Sequence, residues 1–332
     1  MKKIKYITAL IIILNMISFA QNANLGTSGA QFLTIPTGPR AAALGGAVVG
    51  IIDDPSAIFW NPSGLTNIKS AAAYFTYMRY FEMFDYNAFA ASYNLQNLGV
   101  LSIGLISFLT DKMEITTEFS PQGTGRFFDA SDLCLMFSYS RNLTDMFSFG
   151  VTAKYINQRI YNVSSSTIAF DIGTRYKIDF NNLVIAMSFS NFGPDLRFDG
   201  ENLNVTHDID PNVPLNRLTP ARLLTDDYPL PLTFQVGVAI DLYKEGFFKS
   251  RFAIDAVHPN DNNERINFGL ETSYYDILFL RGGYKYNYDD EAFSFGVGFN
   301  LPIGENTLAI DYSFSLFDIL PDVHRIAVSI NF

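Results

Sequence analysis

A single cysteine, Cys134, leaves no internal disulfide framework and no cysteine-built zinc site. It sits in Leu133-Cys134-Leu135-Met136-Phe137, where a small apolar filler on a strand is the plain reading. The three histidines, His207, His258 and His324, lie far apart and form no ligand spacing. Positive charge is scarce: a net charge of −10 argues against nucleic acid, whose phosphates need a basic surface. Charge of either sign is sparse at 17%, against 48% hydrophobic and 15% aromatic residues, an apolar balance for a water-soluble chain of 332 residues. Yet beyond residue 20 no apolar run reaches the ~18–20 residues that a membrane helix needs. Such a chain is either a buried all-β core or a transmembrane β-barrel.

The motifs of common enzymes are missing too. There is no Gly-x-Ser-x-Gly elbow, no His-Glu-x-x-His pair and no phosphate-cradling Gly-x4-Gly-Lys loop. The expectation is a non-enzyme with no catalytic residues, no cofactor and no metal. Acidic clusters occur at Asp208-Ile209-Asp210, Asp226-Asp227, Asp289-Asp290-Glu291 and Asp261 with Glu264, at spacings that match no EF-hand loop. They are expected on a solvated outer face.

What is present begins with an export signal. Lys2, Lys3 and Lys5 precede an apolar stretch from Ile7 to Ile17, and Ser18-Phe19-Ala20 places small residues where a signal peptidase reads, so cleavage is expected after Ala20. An uncleaved anchor fits less well, because the apolar core is short and Gln21-Asn22 follows at once. Residues 21–70 do not resemble barrel wall: seven glycines interrupt strands, and Pro36, Pro39, Pro55 and Pro62 break pairing. Asp54-Pro55 reads as a helix start that Pro62 must soon end. The only tryptophan, Trp60, lies between. The segment is expected as a hatch or plug inside the barrel, carried by Asp54, Pro55, Phe59, Trp60, Asn61, Pro62, Gly64 and Leu65. Phe59 and Trp60 should be buried against lumen side chains, and Asn61 should bond local backbone.

From residue 71 onward the sequence alternates with period two. Phe147, Phe149, Val151, Ala153 and Tyr155 interleave with Ser148, Gly150, Thr152 and Lys154; Phe234, Val236, Val238 and Ile240 interleave with Gln235, Gly237 and Ala239. That period puts one set on each face, apolar to lipid and small or polar to the lumen. Candidate strands fall at about 71–80, 85–96, 99–110, 129–141, 146–160, 165–179, 182–192, 231–243, 249–258, 264–275, 277–288, 292–300, 306–317 and 323–332. An even count near fourteen suits a bacterial outer-membrane barrel. Alternate connections are short, while the longest, 111–128 and 193–230, share one end. A secreted sandwich has no reason to sort loops this way. The expected fold is all-β, a closed antiparallel transmembrane β-barrel of about fourteen strands over 71–332, with the hatch over 21–70 and a signal peptide over 1–20.

Gln31-Phe32-Leu33, Pro39-Arg40-Ala41-Ala42-Ala43-Leu44-Gly45-Gly46-Ala47, Asp53-Asp54-Pro55-Ser56-Ala57 and Trp60-Asn61-Pro62-Ser63-Gly64-Leu65, in that order, resemble the N-terminal region of the PorV/PorQ family. That family is related to the FadL-type outer-membrane proteins. Asn191-Phe192-Gly193-Pro194 through Phe198, with Pro229-Leu230-Pro231-Leu232 after it, is similar to a second pattern of the same family. The resemblance implies an outer-membrane protein of type IX secretion, with secretion-machinery proteins or exported cargo as partners. Gly193, Pro194 and Phe198 are then candidates for an outer-loop partner surface. The alternative is a FadL-like channel taking up a hydrophobic ligand such as a fatty acid. Either protein sits among outer-membrane lipid.

Overall fold

The computed structural model describes residues 25–208 and 219–332, so the expected signal peptide, and Ile209 and Asp210 of the first acidic cluster, lie outside the described residues. Fourteen antiparallel strands follow chain order around the wall. They are β1 (Ala71–Tyr80), β2 (Phe84–Asn94), β3 (Val100–Thr110), β4 (Ala130–Asn142), β5 (Phe147–Ile160), β6 (Val163–Ile178) and β7 (Leu183–Phe192), then β8 (Thr233–Glu245), β9 (Phe248–Pro259), β10 (Arg265–Tyr274), β11 (Leu278–Tyr286), β12 (Glu291–Ile303), β13 (Asn306–Phe317) and β14 (Val323–Asn331). β14 pairs back onto β1, from Ala72↔Asn331 to Met78↔Arg325, and the β6–β7 ladder closes the ring. Closure gives every wall strand a hydrogen-bonded neighbour on both sides and leaves no open edge, the condition for crossing a membrane with sheet.

The two-residue period decides which side chains meet lipid. On β4, Leu135, Phe137 and Tyr139 are exposed on the outside while Cys134, Met136, Ser138 and Ser140 are buried inside. β14 does the same with His324, Ile326 and Val328 against Val323, Arg325, Ala327 and Ser329. Cys134 is the apolar filler its sequence context suggested, facing the interior. Arginine in place of Phe137 should cost about 2–4 kcal/mol, because a lipid-facing charge near the midplane loses its hydration. The measurement is the urea midpoint of barrels folded in lipid vesicles. The same replacement at Asn97, exposed in the β2–β3 turn, should leave that midpoint unchanged.

The connections separate by end. β2–β3, β4–β5, β6–β7, β8–β9, β10–β11 and β12–β13 are joined by short turns at one end. The long loops 111–129 and 193–232 lie at the other and carry paired ribbons of their own, among them Asn204–His207 with Thr219–Arg222. By the outer-membrane pattern the short-turn end is periplasmic and the long-loop end extracellular. The sorting is one-sided: the β1–β2 and β5–β6 links at the long-loop end are tight as well, with Phe81, Glu82 and Tyr161 at positive φ.

Residues 29–68 run inside this wall. Leu44, Val48, Val49, Ile51, Ile52, Ile58 and Leu65 are fully buried. A short helix, α1 (Pro39–Ala43), contacts β11 to β14; the turn Pro55–Phe59 contacts β1 to β3; the turn Pro62–Asn67 contacts β3 to β6. The segment fills the lumen at mid-height. Cavities remain on both sides of it, about 380 Å³ toward the long-loop end and about 330 Å³ toward the short-turn end.

Candidate functional site

Two caps of the same design shape the internal segment. Asp54 accepts from the backbone N–H of Ser56 at 2.8 Å, with Pro55 in the first helical position. Asn61 accepts from the N–H of Ser63 at 3.1 Å, with Pro62 following. A short oxygen-bearing side chain meets a free N–H, and the proline supplies none that needs meeting. Proline also holds Asn61 extended, at φ −146° and ψ 102°, which ends the first turn. The Asn61 amide then donates to the carbonyls of Val49 at 2.9 Å and Thr174 at 3.3 Å. It therefore bonds local backbone and also fastens the segment to β6.

The wall receives the segment on two cross-strand glycine pairs. Gly269 and Gly283 face each other between β10 and β11, and a Cβ on Gly283 would overlap the Leu44 carbonyl carbon and the Gly45 nitrogen. Gly150 and Gly173 face each other between β5 and β6, and a Cβ on Gly150 would stand 2.7 Å from the Ser63 nitrogen, on Gly173 2.8 Å from the Pro62 Cδ. Backbone meets backbone at Gly269, Gly283 and Gly150, while Gly173 leaves room for the Asn61 side chain. Polar side chains complete the docking: Asp255 accepts from the N–H groups of Val48 and Val49 at 2.7 and 3.0 Å, and the hydroxyls of Ser188 and Ser140 donate to the carbonyls of Trp60 and Pro62.

Arg40 carries the electrostatics. Its guanidinium grips Glu271 of β10 with two bonds of 2.9 and 3.0 Å and reaches Asp53 at 2.6 Å and Asp54 at 2.9 Å. Arg281 bonds the same Glu271 at 2.7 Å and also pairs with Asp311, while Arg251 pairs with Asp241. Burial by itself would raise the Asp53 carboxyl, but the charges of Arg40 and then Arg251 outweigh it and hold it below the ordinary value of 3.8. A carboxyl lowered by folding stabilises the docked segment fully above its unfolded pKa and loses that contribution as pH falls through the folded one. The Asp53 share of docking should therefore be full above about pH 5 and fall away below about 4, read as the difference between the parent chain and Asp53→Asn in the emission of the sole tryptophan. Asp53→Asn should remove part of the acid response, a small part because the side chain is 38% exposed.

Of the expected hatch residues, Pro55, Asn61, Pro62, Gly64 and Leu65 are buried and Asp54 is half-buried. Phe59 and Trp60 meet the expectation in part: both pack against the core, Phe59 beside Tyr74 of β1, but they are only half-buried and line the long-loop cavity. The indole N–H donates to the Thr37 carbonyl at 3.1 Å, so the ring needs a polar neighbour and sits at the cavity boundary. The acidic clusters also depart from a uniformly solvated face. Glu291 is buried against Lys285, Asp261 is buried and accepts from Ser28 and Gln31, and Asp290 accepts from the N–H groups of Asp318 and Ile319.

The second motif is a clamp at the rim. Asn191, at φ 64°, receives Lys154 on its side-chain oxygen at 2.8 Å and donates to the Pro231 carbonyl at 3.0 Å, while Asp171 accepts from its N–H. This joins both ends of the long loop where the β6–β7 register shifts between Phe170 and Ile172. Gly193 is packed against the Ile168 carbonyl, and Phe198 lies edge-on to Tyr228 at 6.5 Å. Of the three expected surface residues only Pro194 is exposed; Gly193 and Phe198 are half-buried. Sequence reading missed Arg40, Asp255 and the glycine pairs; the Arg40 to Asp53-Asp54 spacing was visible but its meaning was not.

The family described as Type IX secretion system membrane protein PorP/SprF matches residues 88–319. No curated protein matches the chain by sequence. Among solved structures, the Ralstonia pickettii toluene transporter TbuX is similar at TM-score 0.55 and 13% identity, covering 88% of this chain and 96% of that one. The Pseudomonas putida toluene transporter TodX gives 0.55 and 12%, over 89% and 98%. A Pseudomonas aeruginosa FadL homologue gives 0.51 and 11%, over 89% and 97%. These likenesses establish the FadL-like barrel fold.

Proposed function

The chain belongs to the PorP/SprF family of type IX secretion system membrane proteins, and from that membership we propose that it is a non-enzymatic outer-membrane component of that pathway. Its long-loop end engages secretion-machinery proteins or exported cargo. The family match across most of the wall carries this reading. The finer likeness to PorV/PorQ proteins rests on the segment from Gln31 to Leu65, which precedes the matched residues 88–319. In this reading that segment is a hatch: it plugs the lumen, and the exposed Pro194 rim faces the partner. Crosslinking in the native membrane should recover a secretion component or cargo, and a deletion strain should fail to export at least one surface protein. Normal export together with an empty crosslink would end the proposal.

A second reading, a channel for hydrophobic small molecules, is favoured by one observation. The β6–β7 register shift lies on the strand whose Ser188 bonds Trp60, so an irregular wall adjoins the segment. Uptake of labelled fatty acid that falls on deletion would support it, and unchanged uptake would remove it.

A further inference from the structure

Docking of the segment does not account for the chemistry of the long-loop cavity. Its floor is Trp60 and Phe59, but its walls are mainly amides, hydroxyls and charges. Asn267 is only 3% exposed and its side-chain oxygen has no hydrogen-bond partner. Glu291 gives one carboxylate oxygen to Lys285, while the other, Oε1, is buried with no hydrogen bond of its own, near the Arg325 charge. Arg265 lies 4.3 Å over the Tyr288 ring with an unpartnered Nε. The acidic residues around Arg265 are engaged elsewhere: Glu264 with His258, Glu291 with Lys285, Asp261 with Ser28 and Gln31.

The cavity thus offers two acceptors that need donors and a guanidinium that needs an anion. A buried polar group left unmatched costs ~1–3 kcal/mol, so the complementary ligand carries N–H donors and a carboxylate together. A fatty acid supplies only the second. We propose that this cavity receives an extended acidic segment of a polypeptide from the extracellular side, its Asp or Glu carboxylate on Arg265 and its backbone N–H groups on Asn267 Oδ1 and Glu291 Oε1. Trp60 and Phe59 pack against the peptide planes. The inference rests on the secretion reading, since it names the kind of partner that the mouth of the barrel accepts.

The sole tryptophan lies in the cavity and reports occupancy directly. The full chain in lipid nanodiscs is titrated with acetyl-Gly-Gly-Glu-Gly-Gly-amide and with its Gln counterpart, following Trp60 emission at low salt. The Glu peptide should produce a saturable shift, and the Gln peptide should bind at least tenfold more weakly. Arg265→Gln should reduce affinity for the Glu peptide at least tenfold and leave the Gln peptide unaffected; Asn267→Ala should weaken both peptides alike. Equal binding of the two peptides, or no shift with either, overturns the proposal. Dodecanoate or glucuronate binding more tightly than the Glu peptide overturns it as well, in favour of an amphiphile or an acidic sugar. The peptide comparison needs no variant, so a misfolded mutant does not obscure the result. Native-membrane crosslinking to a secretion component with no peptide response defeats only the pocket. Normal export in a deletion strain defeats the secretion reading, whatever the peptide does.

Discussion

Gly283→Val is expected to expel the internal segment from an otherwise intact barrel, while Gly282→Val, one residue earlier, is expected to change nothing. The two glycines point to opposite faces of β11. A Cβ on Gly282 meets only the Phe295 ring, at 4.0 Å, an ordinary contact on the outer surface. A Cβ on Gly283 meets backbone, the Gly45 nitrogen and Cα and the Leu44 carbonyl carbon, and neither chain has a flexible end that could yield. Overpacking a fitted interior costs ~1–3 kcal/mol and more when backbone must move. Valine suits a strand better than glycine, so the wall itself should tolerate both changes. Both variants should keep the heat-modifiable mobility of a folded barrel. Only Gly283→Val should expose residues 25–70 to protease, by at least tenfold in rate, and shift Trp60 emission to the red. Equal protection in the two variants would mean that the seat at Gly269 and Gly283 does not hold the segment.

The wall was legible in the sequence because its determinant is local. Period-two alternation places Gln235, Gly237 and Ala239 inside and Phe234 outside whatever the rest of the chain does, and all four sit as their parity requires. Strand ends differ by one to three residues, for local reasons as well. β8 starts at Thr233 and not at 231, because Pro231 has no N–H to give the ladder and its carbonyl is taken by Asn191. The seat of the segment was not legible. Glu271 stands 231 positions from Arg40, and the facing of Gly269 by Gly283 exists only once β10 and β11 have paired. A glycine inside a strand reads the same whether it faces lipid, as Gly282 does, or a second backbone. Likewise the aromatic pair Phe59-Trp60 reads as core, since nothing in the sequence tells that the lumen stops short of filling above it.

Arg40→Ala should release the same segment by a different route, through charge. Arg40 is 14% exposed and Glu271 7%, so neither can exchange its partner freely for water. Breaking a buried pair typically costs ~3–5 kcal/mol, because the remaining charge stays buried. Here Arg281 still holds Glu271 at 2.7 Å, which places the expected loss near the lower bound, about 3 kcal/mol. Asp53 and Asp54 lose their common cation, and the second contact of Asp53, to Arg251, is long at 3.9 Å. Lysine at position 40 keeps the charge but cannot make two parallel bonds to one carboxylate, so Arg40→Lys should recover only part of the docking. Glu271→Gln combined with Arg40→Ala should not restore it either, since Arg281 would then retain only Asp311, Asp54 would have no cation and Asp53 only the long contact to Arg251. A double-mutant cycle read on protease protection of residues 25–70 should therefore give a strong, non-additive coupling. Additive effects at Arg40 and Glu271 would show that the segment is held by its glycine seats and apolar packing alone, with the charges merely accommodated.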